Sequence, residues 1–209
     1  MSVKATMDAL VRDIEKLKKS GISKTIGKRI SEFKARKSDN ELFSELCFCI
    51  LTANYNAEGG IRIQKEIGNG FFSLSEKRLA WKLKQLGHRF PNMRAEYIAE
   101  ARSKKDLLIS KIREEAELRN WVADNIKGLG YKEASHLLRN IGFDDYAIVD
   151  FHIIDLLEKY RIIERPKTLT HRKYMEIENV LKKIAEKTKL TLAELDLYLW
   201  YMETGTVLK

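Results

Sequence analysis

The stretch IKGLGYKEASHLLRN, residues 126–140, decides our interpretation of the fold. Two glycines, Gly128 and Gly130, flank Leu129, and residues with helical spacing lie on each side. Because glycine adopts positive φ angles without steric cost, the pattern predicts a very tight turn between two helices, with positive φ allowed at both glycines. Leu129 should then point into the core and anchor the turn.

The backbone N–H groups of this turn should face outward at the start of the second helix. A helix start carries unpaired donors and the positive end of the helix dipole, so Gly128, Leu129 and Gly130 are candidates for binding a DNA phosphate. Such a contact positions a protein on DNA without reading the base sequence. A plain helix–glycine–helix turn is the alternative.

Two chemically useful side chains flank the next loop. Lys132 lies in the first turn of the helix after Gly130, and that helix of ten or so residues carries the chain roughly 15 Å away. The loop of residues 142–149 can span up to about 26 Å, which is enough to bring the chain back to Asp150 at the start of DFHIIDLLEKY. We therefore expect the amine and the carboxylate at neighbouring helix N-termini.

This pair suits chemistry on a nucleotide. A lysine amine can attack the anomeric carbon and form a Schiff base with the opened sugar. A carboxylate beside it can stabilise the positive charge that develops on the sugar as the base departs. The alternatives are that Lys132 is an ordinary surface lysine and that Asp150 is only a helix N-cap, although a capping aspartate can still present one oxygen elsewhere. His152 is interpreted as structural.

The rest of the chain reads as helical throughout. Helical spacing recurs and alternating strand patterns do not, and Ser38 to Glu41, Ser73 to Glu76 and Thr191 to Glu194 have the form of capping boxes. Helices are predicted at residues 3–19, 22–37, 40–54, 57–68, 74–86, 92–103, 105–113, 115–126, 131–140, 150–160, 171–187 and 192–202.

Composition limits the class of protein. The 209 residues include 39 Lys and Arg against 30 Asp and Glu, so the net charge of +9 favours a polyanionic partner such as nucleic acid. Cys47 and Cys49 lie in the apolar run ELCFCIL, which predicts two buried thiols rather than a disulfide or a metal site. No apolar run is long enough to span a bilayer, so we expect a soluble, cytoplasmic protein associated with the nucleoid.

These motifs together resemble a known family. The run IKGLGYKEA, followed by VDFH, is similar to the helix–hairpin–helix DNA glycosylases. The runs LTAN at 51–54 and LDLYLWYMETGTVLK at 195–209 are similar to the archaeal-type, second family of 8-oxoguanine DNA glycosylases. The likeness covers about residues 40 to 209 and departs from it at Phe151, where many relatives carry a basic residue.

The resemblance implies a fold, an activity and a partner. The expected fold is all-α and consists of one glycosylase unit, residues 1–209, with two helical subdomains flanking a cleft. The approximate subdomains are 40–145, which holds the hairpin at 126–134, and 1–39 plus 146–209. A monomer should bind double-stranded DNA containing 8-oxoguanine, remove the base and then cleave the strand by β-elimination. No cofactor, iron–sulfur cluster or metal is implied.

The resemblance also assigns site residues. It gives the nucleophile role to Lys132 and the role of its acidic partner to Asp150. Trp200 resembles a tryptophan that stacks on the flipped purine, and Lys209 a residue that helps to distinguish 8-oxoguanine from guanine. A core aromatic and a frayed end are the respective alternatives.

Further candidates come from the neighbourhood of these motifs. His136 lies one turn after Lys132 and could line the bottom of the base pocket. Asn54 could contact the opposite strand, and Arg89 or Phe90, in GHRFPN, could fill the gap left by the flipped base. Two other functions stay open: a glycosylase for another oxidised base, such as a pyrimidine, and a non-catalytic helix–hairpin–helix DNA-binding module.

Overall fold

The computed structural model describes residues 3–114 and 117–209, with side chains from residue 6 onward. Within these ranges every regular element is a helix, which confirms the predicted all-α class. The helices are α1 (Val3–Lys18), α2 (Ile22–Lys34), α3 (Asp39–Thr52), α4 (Ala57–Ile67), α5 (Gly70–Ser73), α6 (Glu76–Gln85), α7 (Pro91–Ser103), α8 (Lys105–Glu114), α9 (Leu118–Asn125), α10 (Tyr131–Asn140), α11 (Phe151–Lys159), α12 (His171–Thr188) and α13 (Leu192–Thr204).

The chain divides into two compact units, each with its own core. Unit 1 comprises the residues up to Ala35 together with Leu138–Lys209, and unit 2 comprises Arg36–Leu137. In unit 2 the central helix is α3, which is fully buried from Leu46 to Leu51 and packs against α4, α7 and α8. In unit 1 the apolar helix α13 packs against α1, α2, α11 and α12. Cys47 and Cys49 are free and buried within α3, as predicted.

The boundaries of the units differ from the subdomains predicted at 40–145 and at 1–39 plus 146–209. The chain passes from unit 2 back into unit 1 between Leu137 and Leu138, inside α10, so residues 138–145 belong to unit 1. The reason is packing. The Arg139 guanidinium pairs with the buried carboxylate of Asp196, and the Cζ atom of Arg139 lies 5.0 Å from the centre of the Phe33 ring. Lys34 pairs with Asp144 at 2.6 Å.

Capping chemistry places several helix starts. Ser38 and Thr191 each form the predicted reciprocal capping box, with Glu41 and Glu194 respectively. The prediction for Ser73 is wrong, because Ser73 ends the short helix α5 and Ser75 caps α6 by accepting from the N–H of Arg78. Helix α5 itself was not predicted. The predicted helix at 115–126 corresponds to α9, and residues 115 and 116 lie outside the described ranges.

Candidate active site

The glycine turn between α9 and α10 has the predicted hairpin form. The N–H of Leu129 donates to the carbonyl of Ile126 at 3.1 Å, and the Leu129 side chain is buried. Gly128 has a φ of +87°, and a Cβ at this position would overlap the ring of Tyr97. Gly130 does not have a positive φ, so only one of the two glycines is required for the backbone angle.

Lys132 lies in the first turn of α10, as predicted, and its side chain is about one-third exposed at 31%. Its ammonium is 3.0 Å from Glu133 Oε1. The other oxygen of the same carboxylate, Oε2, accepts from the N–H of Gly130 at 3.2 Å. Glu133 was not predicted as a site residue, although a Glu at the third position of a helix is a known signal for this return contact.

The contacts of Glu133 and Leu129 correct one expectation about the hairpin. The N–H groups of Leu129 and Gly130 are not open donors, because Ile126 and Glu133 respectively already accept from them. A phosphate that bound Gly130 would therefore have to displace a carboxylate that also contacts Lys132.

Asp150 is the N-cap of α11, and the helix proper begins one residue later at Phe151. The cap bond runs from the N–H of Ile153 to Asp150 Oδ1 at 2.9 Å. Oδ2 makes no hydrogen bond within the described ranges, so one oxygen of this half-buried carboxylate stays available. The capping role and the presentation of an oxygen are thus compatible at this residue.

The segment before Asp150 is hydrogen-bonded to side chains of α12. The Tyr174 hydroxyl donates to the carbonyl of Ala147 at 2.7 Å and accepts from the N–H of Val149 at 3.2 Å. The buried carboxylate of Glu178 accepts from the N–H of Ala147 at 3.3 Å. Because these partners are side chains 25 or more residues away along the chain, periodicity could not have found them.

The charge of Asp150 acts on a second carboxylate of unit 1, that of Asp196. Asp196, on α13, is buried and pairs with Arg139, whose guanidinium also donates to Asn140 Oδ1 at 3.0 Å. Burial raises the pKa of Asp196 to about 6, against the opposing effect of Arg139, and the negative charge of Asp150 raises it further. Unit 1 thus places a buried ion pair within electrostatic range of the candidate catalytic carboxylate.

The predicted base-recognition residues fall in both units. Trp200 and Lys209, both half-buried, lie in unit 1 with Asp150. The Trp200 indole meets the His152 ring edge-on at 4.8 Å between centroids. His152 is exposed rather than part of a core, which is at odds with its interpretation as structural, and it joins the candidates. His136 lies in unit 2 on the same helix as Lys132, half-buried and edge-on to Phe48 at 5.6 Å.

The residues predicted to contact the opposite strand or to act as a wedge in the gap left by the flipped base lie on two joined loops of unit 2. Asn54 follows α3, is exposed, and has a left-handed φ of 57°. Arg89 is exposed, and its guanidinium lies 5.0 Å from the centre of the neighbouring Phe90 ring. The two loops are joined by a bond from the Tyr55 hydroxyl to the carbonyl of Gly87 at 3.2 Å.

Neither metal binding nor thiol chemistry is supported by the side chains of the described ranges. No group of three or more His, Cys, Asp or Glu side chains there could hold a metal ion. Burial raises the pKa of the Cys47 thiol well above its ordinary value, as expected of an inert core cysteine. In the same part of the chain, no helix has the length and apolar character needed to cross a membrane.

Comparisons with known proteins give consistent matches. A family model described as 8-oxoguanine DNA glycosylase matches residues 26–190. The chain is similar to the 8-oxoguanine DNA glycosylase/AP lyase of Korarchaeum cryptofilum, with 54% identity over 207 residues, 97% of this chain and 99% of the relative. The protein of that name from Methanocaldococcus jannaschii is 57% identical over 205 residues, 96% of this chain and 99% of the relative.

A solved structure matches equally well. The crystal structure of the Methanocaldococcus jannaschii 8-oxoguanine glycosylase/lyase, in complex with a 15mer DNA containing 8-oxoguanine, has a TM-score of 0.92. It is 56% identical in sequence, and the match covers 96% of this chain and 100% of that one. The similarity extends over residues of both units.

Proposed function

The chain belongs to the helix–hairpin–helix family of 8-oxoguanine DNA glycosylases, and from this premise we propose that it excises 8-oxoguanine from DNA and then cleaves the strand as an AP lyase. The observation that carries the proposal is the position of Lys132, in the first helical turn after the Gly128–Gly130 hairpin. The solved relative that binds DNA containing 8-oxoguanine supports the substrate.

The proposed reaction begins with Lys132. Its neutral amine attacks C1′ of the damaged nucleotide, a bond forms between Nζ and C1′, and the bond from C1′ to the base breaks. The base leaves with the bonding electron pair and takes up a proton. Asp150 stabilises the positive charge on the sugar while this happens, through the oxygen that does not cap α11.

Strand cleavage follows from the same covalent adduct. The lone pair of Nζ forms a double bond to C1′ while the bond from C1′ to the ring oxygen O4′ breaks. The amine loses a proton and O4′ takes one up, so that the opened sugar is joined to Lys132 as a Schiff base. Removal of a proton from C2′ then expels the phosphate on the 3′ side by β-elimination, and water releases Lys132. This second reaction needs an amine nucleophile and no metal or cofactor, so we propose that the enzyme uses none.

The surrounding residues are proposed to bind and orient the DNA. The hairpin residues Gly128, Leu129 and Gly130 lie against a phosphate of the backbone, which replaces the Glu133 carboxylate at the N–H of Gly130. Recognition of the extruded base involves Trp200, Lys209 and His136. The gap in the duplex and the opposite strand are contacted by Asn54, Arg89 and Phe90.

The partner is double-stranded DNA that contains 8-oxoguanine, and the net charge of +9 favours its backbone. We further propose that the protein acts as a monomer in the cytoplasm, on the DNA of the nucleoid. A monomer suffices because one chain supplies all of the proposed site residues.

The test is incubation with a panel of duplexes that differ only in one base: 8-oxoguanine, guanine, and an oxidised pyrimidine. We expect release of free 8-oxoguanine together with strand breaks, and little product from the other two. Preferred release of the pyrimidine would assign the chain another specificity. Salt-sensitive binding of all three duplexes without base release would indicate that the protein is a non-catalytic DNA-binding module.

A further inference from the structure

The loop between α6 and α7, which carries Arg89 and Phe90, is organised around one buried imidazole. His88 is only 5% exposed. Its Nε2 lies 2.9 Å from the carbonyl oxygen of Leu51, near the end of α3, and its Nδ1 lies 3.0 Å from the backbone nitrogen of Phe90. The ring thus connects two segments 37 residues apart in the chain.

These two bonds select one tautomer. The backbone N–H of Phe90 can only donate, so Nδ1 must accept with its lone pair. The hydrogen of the neutral ring is then on Nε2, which donates to Leu51. Neither the imidazolium form nor the other tautomer can make both bonds, because each carries a hydrogen on Nδ1.

Neighbouring groups strengthen the same connection. The Tyr55 ring lies 4.3 Å from the His88 ring, and the Tyr55 hydroxyl donates to the carbonyl of Gly87. The buried guanidinium of Arg94, on α7, donates to the carbonyl of Ala53 and lies 5.9 Å from the centre of the Phe90 ring. The carbonyl of Leu51, in the last turn of α3, is therefore bonded to His88, and that of Ala53, directly before Asn54, is bonded to α7.

We propose that His88 is a positioning residue for base extrusion: its neutral Nε2–H tautomer fixes the backbone of Phe90, and with it Arg89, beside Asn54. This inference rests on the proposed function, in which these three residues enter the duplex where the damaged base leaves it. A wedge that must fill a gap of fixed size needs a rigid backbone, since misplacement by about 1 Å can cost on the order of a hundredfold in rate.

The role makes the loop sensitive to pH. Burial lowers the pKa of His88, and the charge of Arg94 lowers it further, while the bond to Leu51 opposes both effects. Two further charged or titratable residues lie near the ring: Tyr55, whose ring is tilted by 32° against the imidazole, and Arg89, the next residue in the chain. Because the pKa of His88 in the folded protein lies below the ordinary 6.5, both hydrogen bonds of the neutral ring are fully present above about pH 6.5. They are lost as the pH falls through the lowered pKa.

The experiment compares two substrates that share the chemistry of Lys132 but differ in extrusion. One duplex contains 8-oxoguanine, and the other contains a preformed abasic site, which has no base to extrude. The variants are His88→Leu, which removes both bonds, His88→Gln, which retains a donor near Leu51, and His88→Asn, which retains an acceptor near Phe90. The readout is the ratio of the single-turnover rate on 8-oxoguanine to that on the abasic site, so partial unfolding affects both rates alike.

We expect His88→Leu to lower this ratio by about tenfold or more. Among the three variants, His88→Asn should have the ratio nearest to that of the wild type, because it retains an acceptor near Phe90. In the wild type the ratio should be constant above about pH 6.5 and fall as the pH is lowered through the depressed pKa of His88, whereas in His88→Asn it should be flat. An unchanged ratio in His88→Leu, or a wild-type ratio that stays constant down to the lowest pH at which the protein remains folded, would overturn the role of His88. Failure of the wild type to process either duplex would instead refute the proposed function.

Discussion

At the scale of single residues, Asp150 combines a structural role with the proposed catalytic one. Its Oδ1 accepts from the N–H of Ile153 and so caps α11, and Oδ2 makes no hydrogen bond within the described part of the chain. Because Asn and Asp cap helices about equally well, the two roles can be separated by substitution.

Asp150→Asn should leave the melting temperature almost unchanged and slow excision of 8-oxoguanine by about 10²–10³-fold, because the cap bond survives and the negative charge is lost. Asp150→Ala loses the cap as well and should cost a further ~1 kcal/mol of stability. Thermal unfolding and single-turnover kinetics on the two variants measure these effects. Near-normal turnover by Asp150→Asn would remove Asp150 from the mechanism.

The two hairpin glycines should respond differently to the same change. Gly128→Ala forces a Cβ towards the Tyr97 ring at a φ of +87°, so it should destabilise the protein by at least about 1–2 kcal/mol. Gly130→Ala places its Cβ 3.5 Å from Glu133 Oε2, an ordinary contact, and should leave stability nearly unchanged. Calorimetry on this pair checks the geometry of the hairpin, and equal losses of stability would contradict it.

These residues were predictable from the sequence to different degrees. The positions of Lys132 and Asp150 follow from local signals, namely a glycine turn before a helix and an aspartate at a helix start. The positive φ expected at Gly130 is absent, because one left-handed residue is enough to turn the chain here. Glu133 and His88 gain their importance from hydrogen bonds that only the folded chain defines.

At the scale of elements, the first turn of α10 holds an internal anion at the place proposed for a DNA phosphate. The Glu133 carboxylate contacts both Lys132 and the N–H of Gly130. Since a charge at a helix N-terminus is worth about 0.3–1 kcal/mol, this carboxylate should compete measurably with DNA.

Glu133→Gln should therefore raise the affinity for an undamaged duplex by about twofold to fivefold at low salt. The amide oxygen of Gln can still accept from Gly130, so only the charge is removed. Glu114→Gln, which removes an exposed carboxylate paired with Lys111 on α8, is the matched control and should change affinity less. A weakened or unchanged affinity in Glu133→Gln would argue against the phosphate site.

The segment that leads to Asp150 depends on α12, and Tyr174→Phe tests that dependence. Loss of the hydroxyl leaves the N–H of Val149 and the carbonyl of Ala147 without this buried partner, at a cost of about 1–3 kcal/mol. Excision should fall as well, because Val149 directly precedes Asp150. Tyr160→Phe, which removes a half-buried bond to Asp13 in the same unit, should leave excision intact. If both variants excise equally well, α12 does not position Asp150.

Element boundaries were predictable where a cap and a long periodic run coincide, as at Ser38 and Thr191. The error at Ser73 arose because two serines lie two residues apart before α6, and both fit the start of a helix. Helix α5 has four residues, which is too short for a 3.6-residue periodicity to be visible.

At the scale of the whole molecule, the helical class and the basic surface charge could be predicted from the sequence. The division into units could be predicted only approximately. Helix α10 has no internal break, yet its last turn belongs to unit 1, because Arg139 pairs with Asp196, 57 residues further along the chain. A pairing over such a separation leaves no local pattern in the sequence.

The measurement that bears most directly on Lys132 as nucleophile is borohydride reduction during the reaction with an 8-oxoguanine duplex, followed by peptide mapping of the adduct. We expect a covalent protein–DNA species attached at Lys132 and none in Lys132→Gln. Lys127→Gln, which alters an exposed hairpin lysine paired with Glu96, should still be trapped. An adduct on another residue, or one formed by Lys132→Gln at the wild-type yield, would contradict the account.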